Sequence, residues 1–332
     1  MAVQFERDVQ EATFHSPLQD FESVTVETEV RTDPLTGRSA RIVTDNFLMP
    51  EDEPDLEPVV GDAEGCFFCP EMVTDATPTY PDWVGFDRGQ VGEAVSFPNL
   101  NPYGTHSNVV VLTEDHFRPI DAFTTGIFED GLAAALEYLG AVFEHDETAS
   151  VASINMNFLR PAGSSIIHPH MQTLADDRGT DEQHRRAQAA ARYREEHGEG
   201  YWSALLEAES GGDRSVGTTG SVEWLAPFAP KHHRHLRGVA DYTGLPGPNE
   251  TVVADLARGI VSTLEYYGNV GLNSFNFACS LAEGRRPVID IVARSVFEEY
   301  YWSDSPFFTV LHDEGVVDLA PEDVAARASE HF

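Results

Sequence analysis

The sequence predicts an α+β protein built from two related halves, each running strand, turn, helix, strand. Three observations lead there. The pentapeptide Leu136-Glu137-Tyr138-Leu139-Gly140 returns as Leu264-Glu265-Tyr266-Tyr267-Gly268, each time near the end of a helical pattern. Both patterns place apolar residues every three or four positions, as a helix burying one stripe requires. The first has Phe128, Leu132, Leu136, Leu139 and Phe143, and the second has Val253, Leu256, Ile260, Leu264 and Tyr267. Each helix is followed by a strand-like run containing asparagine, Ser153–Phe158 and Ser274–Phe277. Each is also preceded by one, Asn108–Leu112 and Trp224–Phe228. Four identical residues in five arise by chance easily; a shared order of elements does not, so duplication is the reading.

These elements divide the chain into a first half over residues 26–180 and a second over 221–332. Residues 181–220 form a linker with a charged helical segment, Asp181 to Glu196, and a loop at Ser210-Gly211-Gly212-Asp213-Arg214. The first 25 residues are expected to be a poorly constrained extension. The Pro-rich acidic stretch from Met49 to Val60 is expected to be a surface loop.

Composition narrows the class. A chain of 332 residues with 41% hydrophobic residues can bury a real core. Its 56 acidic residues against 21 basic ones give a net charge of -35, and Lys231 is the only lysine. Hydrated carboxylates in place of lysine suit very high salt, which screens their repulsion. The expectation is a halophilic cytoplasmic protein. Without a basic face, nucleic acid is excluded as a main partner. The N-terminus has no apolar run and no stretch of 18 apolar residues occurs, so neither signal peptide nor membrane span is expected.

Three cysteines, two of them in Cys66-Phe67-Phe68-Cys69, point to metal chemistry in a reducing compartment. Two thiolates at this spacing can reach one tetrahedral ion. His116, at a strand end, and His168 would complete a Cys2His2 site of structural Zn2+ type, with His106 competing for the third place. Cys279 is an ordinary buried small residue.

In an extended strand residues i and i+2 share a face, so His168 and His170 stand side by side around Pro169. If metal fixes His168, His170 is held in a defined position. A neutral imidazole attacks phosphorus without a separate base, while its other nitrogen donates to an orienting acceptor. Gln172, on the same face, can donate its amide to a phosphoryl oxygen. The small turn Gly163-Ser164-Ser165 brings N–H and O–H groups near phosphate.

These motifs resemble the galactose-1-phosphate uridylyltransferase family of the histidine-triad superfamily. The matching segments are Arg31-Thr32-Asp33-Pro34-Leu35-Thr36-Gly37, Cys66-Phe67-Phe68-Cys69, Thr113-Glu114-Asp115-His116 and Gly163-x-Ser165-x-x-His168-Pro169-His170-x-Gln172. Trp224–Phe228 and the tail Asp318–Ala325 match as well. The resemblance implies two histidine-triad halves forming an antiparallel half-barrel with flanking helices, commonly a homodimer. It implies that His170 is the nucleotidylated nucleophile and Gln172 its phosphoryl partner. Ser165 and Asn157 would contact phosphates, with Arg31 of the opening motif a further candidate phosphate ligand, Phe97 and Asn99 the base and ribose, and Cys66, Cys69, His116 and His168 would hold zinc. The reaction it implies is ping-pong transfer from a nucleotide sugar to a sugar 1-phosphate. A phosphorylase or dinucleotide adenylyltransferase on the same scaffold is the nearest alternative. A zinc-stabilised nucleotide-binding protein without turnover is the more distant one.

The sequence also departs from that family. Ile166-Ile167 stands where Asn-Pro precedes His-Pro-His, and Pro287–Val292 has no histidine for a second metal. The positions expected to recognise galactose fall near Val310 and Val316, and two expected arginines near Asn46 and Met49. Lys231, in the basic run Lys231–Arg237, is the candidate cation for a phosphate.

Overall fold

A computed structural model describes residues 3–44, 54–61, 63–301 and 303–332; the Asn46 and Met49 positions lie outside them. The strands are β1 (Glu6–Ser16), β2 (Glu22–Thr32), β3 (Ser39–Ile42), β4 (Gly89–Val91), β5 (Ala94–Pro98), β6 (His106–Val111), β7 (Val151–Phe158), β8 (His170–Asp176), β9 (Ser215–Thr219), β10 (Val222–Leu225), β11 (Leu236–Ala240), β12 (Phe275–Ala282), β13 (Val288–Ala293) and β14 (Gly315–Val317). The α-helices are α1 (Glu57–Val60), α2 (Pro70–Ala76), α3 (Thr125–His145), α4 (Asp181–His197), α5 (Tyr201–Glu209), α6 (Thr251–Asn269), α7 (Phe307–His312) and α8 (Pro321–Ala328).

Ten strands form one antiparallel sheet in the order β4-β5-β6-β8-β7-β12-β13-β11-β10-β9. Read from either end, that order is the same unit twice. Three strands come first, then a helix that crosses the sheet, then a hairpin whose second strand inserts next to the third. The helix is α3 in one half and α6 in the other. The halves meet at the β7–β12 seam, where Asn157 pairs with Asn276 and Phe158 with Phe275. The duplication read from the sequence is therefore built into the sheet. The sheet is open, since its outer strands β4 and β9 do not pair with each other.

Strand alternation sorts the two faces. Val110, Leu112, Ile154, Met156 and Met171 point to the face covered by α3 and α6, which lie against each other. Phe128, Leu132, Leu136 and Leu139 of α3 and Val253, Leu256, Ile260, Leu264 and Tyr267 of α6 are all buried there. The close approach of α6 depends on Gly259, over which the Trp224 indole packs, while Trp224 Nε1 donates to Thr219 Oγ1 at 2.9 Å. At about 25 cal/mol per Å2 of apolar area, this two-helix layer is the main stabilising element.

The opposite face stays partly open, and this is where the linker goes. Helix α4 begins with a capping box in which Thr180 and Gln183 satisfy each other's backbone N–H groups. It covers the open face of the second half, and Gln183 Nε2 donates to the Ala152 carbonyl at 2.8 Å. The residues expected as a linker therefore form a wall, and Ser215–Thr219 already belongs to the sheet.

A second sheet, β1-β2-β3-β14, joins the chain's two ends. Here the expectation of a loose N-terminal extension is corrected. Glu6–Ser16 pairs along its whole length with Glu22–Thr32 in a long hairpin. Strand β1 is exposed almost throughout, so it carries no apolar alternation that would announce it. β14 runs parallel to β3, and Arg31 of β2 forms a two-pronged pair with Glu322 of α8 at 2.9 Å on each arm.

Candidate active site and metal centre

The CxxC segment turns tightly before α2: the Cys69 N–H donates to the Cys66 carbonyl at 3.3 Å, and Pro70 opens the helix. This points both sulfurs towards two histidines. Cys69 Sγ lies 3.6 Å from His116 Nδ1 and 3.6 Å from His168 Nδ1, and Cys66 Sγ is 3.7 Å from His168 Nδ1. One ligand atom from each of Cys66, Cys69, His116 and His168 falls within 4.8 Å of all the others. His168 Nε2–H donates to the Thr113 carbonyl at 2.7 Å, which leaves the Nδ1 lone pair facing the sulfurs. Burial pushes the His168 imidazole down to about 4, so it is neutral. Burial and the adjacent Cys66 thiol push Cys69 up to about 11, so a thiolate there needs a cation. Two thiols and two fixed imidazoles fit a tetrahedral ion of zinc type.

His106 is settled by the same geometry. It lies at the far end of β6, where Nε2 meets Asp146 Oδ2 at 2.9 Å and the ring packs on the edge of Trp83. It stands outside the cluster.

His170 opens β8 and pairs with Val111. Its Nδ1–H donates to the His168 carbonyl at 2.8 Å, and the edge of the Phe68 ring packs on it at 5.2 Å. The tautomer is thereby fixed and Nε2 keeps its lone pair. Burial holds the imidazole below its ordinary value. The next residue on that face is Gln172, half-buried, whose side-chain amide has no hydrogen-bond partner among the described residues. Beneath them Phe68, Phe97, Val109 and Val111 form a small apolar floor. Phe97 is only 2% exposed, so it is part of that floor. Asn99 shapes the β5–β6 turn, its Oδ1 accepting from the Asn101 N–H at 3.0 Å.

The segment before His168 and His170 is held in an unusual conformation. Leu159 has φ +66° and Gly163 φ +88°. For a leucine this costs about 1–3 kcal/mol, which the surroundings must supply. They do so through Ser274 Oγ, which donates to the Phe158 carbonyl at 2.8 Å, and through the Ser164 N–H, which donates to the Leu159 carbonyl at 3.2 Å. Ser164 is buried with its hydroxyl on the Ile166 carbonyl, whereas Ser165 is exposed.

Three residues that motif reasoning missed hold this turn from the second half. Asn276 Nδ2 donates to the Ala162 carbonyl at 2.8 Å and to Asn157 Oδ1 at 2.7 Å. Arg294 donates to Asn276 Oδ1 at 2.7 Å and grips Asp304 with its other nitrogens. Asn276 was visible as the asparagine of Ser274–Phe277, but as a mark of duplication and not of function. Nothing local marks Arg294 or Asp304.

From the seam a cleft of about 440 Å3 runs under α4. Asn155, Asn157 and Asn276 line one side, and Glu182, Lys231 and Asp313 the other. Lys231 is in the cleft as expected, but it is already paired with Glu182 at 2.7 Å. Arg31 is not in it: Glu29, Glu322 and the face of Phe228 surround its guanidinium in the packing between the two sheets. Val310 is 65% exposed on α7 and does not line the cleft. Its neighbours Thr309, Asp313 and Glu314 do, and they carry the polar groups that the valines lack.

The second half has no metal cluster at the matching position, among the described residues. β13, which takes the place of β8 in the second half, carries Val288, Asp290 and Val292 on the face where β8 carries His170 and Gln172. Asp290 is buried in a charge network, with Arg186 Nη1 at 2.6 Å, Arg237 Nε at 2.7 Å and His235 Nε2 at 2.8 Å.

The fold is shared with solved galT-like proteins. An ADP-glucose phosphorylase from Arabidopsis thaliana, solved with bound ADP-glucose, has a TM-score of 0.68 at 16% identity, covering 91% of this chain and 99% of the other. A galT-like protein of the same plant has a TM-score of 0.67 at 17% identity over 91% and 98%. A uridylyltransferase has a TM-score of 0.65 at 20% identity over 91% and 97%. No family model matches the sequence. The chain belongs to one family with a functionally uncharacterised protein of Archaeoglobus fulgidus, 36% identical over 306 residues, or 91% of this chain and 92% of that one. Among the described residues no helix is long and apolar enough to cross a membrane.

Proposed function

We propose that this protein is a nucleotidyltransferase that works through a covalent intermediate on His170. One observation carries the reading: the His170 Nδ1–H is committed to the His168 carbonyl, which leaves the Nε2 lone pair free on the strand face that next carries Gln172. The donor is a nucleoside diphosphate sugar. Nε2 attacks the α-phosphorus, the P–N bond forms, and the P–O bond to the sugar phosphate breaks, releasing a sugar 1-phosphate. A phosphate oxygen of a second sugar 1-phosphate then attacks the same phosphorus and the P–N bond breaks. Gln172 and the exposed Ser165 hydroxyl donate to the phosphoryl oxygens as charge grows on them. Asn157, joined to Asn276, brings both halves to the nucleotide phosphates. Cys66, Cys69, His116 and His168 would hold a zinc-type ion, and with it bound His168 would be fixed, so that its carbonyl orients His170.

A second reading takes inorganic phosphate as the acceptor. It is favoured by Lys231, which puts a cation in the cleft, and by Val310, which faces solvent instead of a sugar.

The test is intact mass spectrometry at high salt after incubation with UDP-, ADP- and GDP-glucose. The protein should gain one nucleoside monophosphate, and His170→Ala should gain none while keeping its metal. Chasing the adduct with phosphate or with sugar 1-phosphates identifies the acceptor. An adduct formed equally on His170→Ala would refute the mechanism.

A further inference from the structure

Behind the partition made by Gln183, Arg186 and Ser280 lies a second cavity, of about 530 Å3, between α4, α5 and the β12–β13 hairpin. Arg186, Arg194, Arg285 and Arg286 line it, together with the half-buried Trp202. In a chain with 56 carboxylates and 21 basic residues, an arginine normally has an acidic partner within reach. Two of these four do: Arg286 pairs with Asp241 at 3.0 Å, and Arg186 with Asp290 and Glu182. Arg194 and Arg285 do not. Both are exposed, and neither guanidinium has an ion pair or hydrogen bond among the described residues. They face the same cavity, whose one carboxylate is Glu283. The guanidinium of Arg237, itself paired with Asp290, lies over the Trp202 ring at 5.6 Å and holds that ring in place.

We propose that this cavity is a second binding site, for a small phosphate-bearing metabolite held by Arg194 and Arg285 against Trp202. Two planar forks free of protein partners suit phosphate oxygens, which they bind in pairs of parallel hydrogen bonds. Leaving cations unpaired in a strongly negative molecule weakens its field locally, so an anion meets an open door there and repulsion elsewhere. The volume matches a ligand of metabolite size. Arg186 is common to this cavity and to the cleft, so an anion here acts on the charge network that forms the wall between them. The site does not depend on nucleotidyl transfer at His170.

Inorganic pyrophosphate is the probe, titrated into the full-length protein by calorimetry and by tryptophan fluorescence at low and high potassium chloride. Saturable binding with a change in emission is expected, weaker at high salt. Arg194→Gln/Arg285→Gln should weaken it about tenfold or more with an unchanged melting temperature. Trp202→Phe should remove the optical signal and keep the heat. His170→Ala should bind as the wild type does. Absence of saturable binding overturns the proposal. So does binding that survives Arg194→Gln/Arg285→Gln, or that disappears in His170→Ala, because the anion then sits in the cleft.

Discussion

The starts of β8 and β13 occupy matching places in the two halves, and they hold their surroundings together by opposite means. At β8, two histidines stand beside two thiols in a cluster able to hold one ion. At β13, a buried carboxylate gathers two arginines and a histidine, and the charges complete one another. A metal-centred node leaves the next residue along the strand free to react, because its own side chain is not needed for neutrality. A salt-bridge node consumes the side chains that form it. On the proposed mechanism, this difference assigns the chemistry to one half and the wall of the cleft to the other.

Removing an element from each node tests this contrast, with the largest effect at the metal. Cys69→Ala should abolish stoichiometric metal binding and lower the melting temperature by about 10 °C or more, since a closed site contributes folding energy directly. Elemental analysis and calorimetry measure both; full metal occupancy in that variant would show that the cluster is not the site. Asp290→Asn should cost about 3–5 kcal/mol, because Arg186 and Arg237 lose their shared counter-charge, while metal content stays constant. Denaturant unfolding reads the loss, and a variant as stable as the parent would break the comparison.

Gln172→Ala tests the side chain left free. Its kcat should fall about 100-fold with the metal retained and KM little changed, the behaviour of a donor used as charge develops. An unchanged kcat would leave phosphoryl stabilisation to the 163–165 turn. The smallest effect is in acid. Arg186 and Lys231 beside Glu182 offset its burial and hold its carboxyl down at about 2, and Arg31 and Arg214 do the same for Glu322. A depressed carboxyl contributes stability above its ordinary value and loses it as pH falls through the folded one. The melting temperature should therefore decline from about pH 4.5 towards about 2. Glu182→Gln should flatten part of that slope.

Much of this was legible in the sequence, and the reason is local. The two helices announce themselves through unbroken apolar stripes. The Cys66-x-x-Cys69 pair is legible from its spacing, and resemblance to a known family adds His116 and His168, which the fold brings into one cluster. Two kinds of feature were not legible. Strand β1 is exposed on both faces, so pairing with β2 holds it and leaves no pattern behind. The Arg294–Asn276–Ala162 chain joins residues more than a hundred positions apart, and none of them is conspicuous alone. Arg31 shows the converse error. A motif residue taken as a ligand for phosphate is spent on Glu322, which ties the two ends of the chain together.

The seam between β7 and β12 has a consequence for how such a molecule arises. A single five-strand unit would end on β7 with every second backbone group unpaired, an edge that invites another chain. Two separate copies meeting edge to edge would satisfy it and would give two identical nucleophiles across a shared groove. Fusing them into one polypeptide makes the encounter permanent and removes the need for symmetry. One copy then keeps the reactive histidine, and the other is at liberty to become its mould.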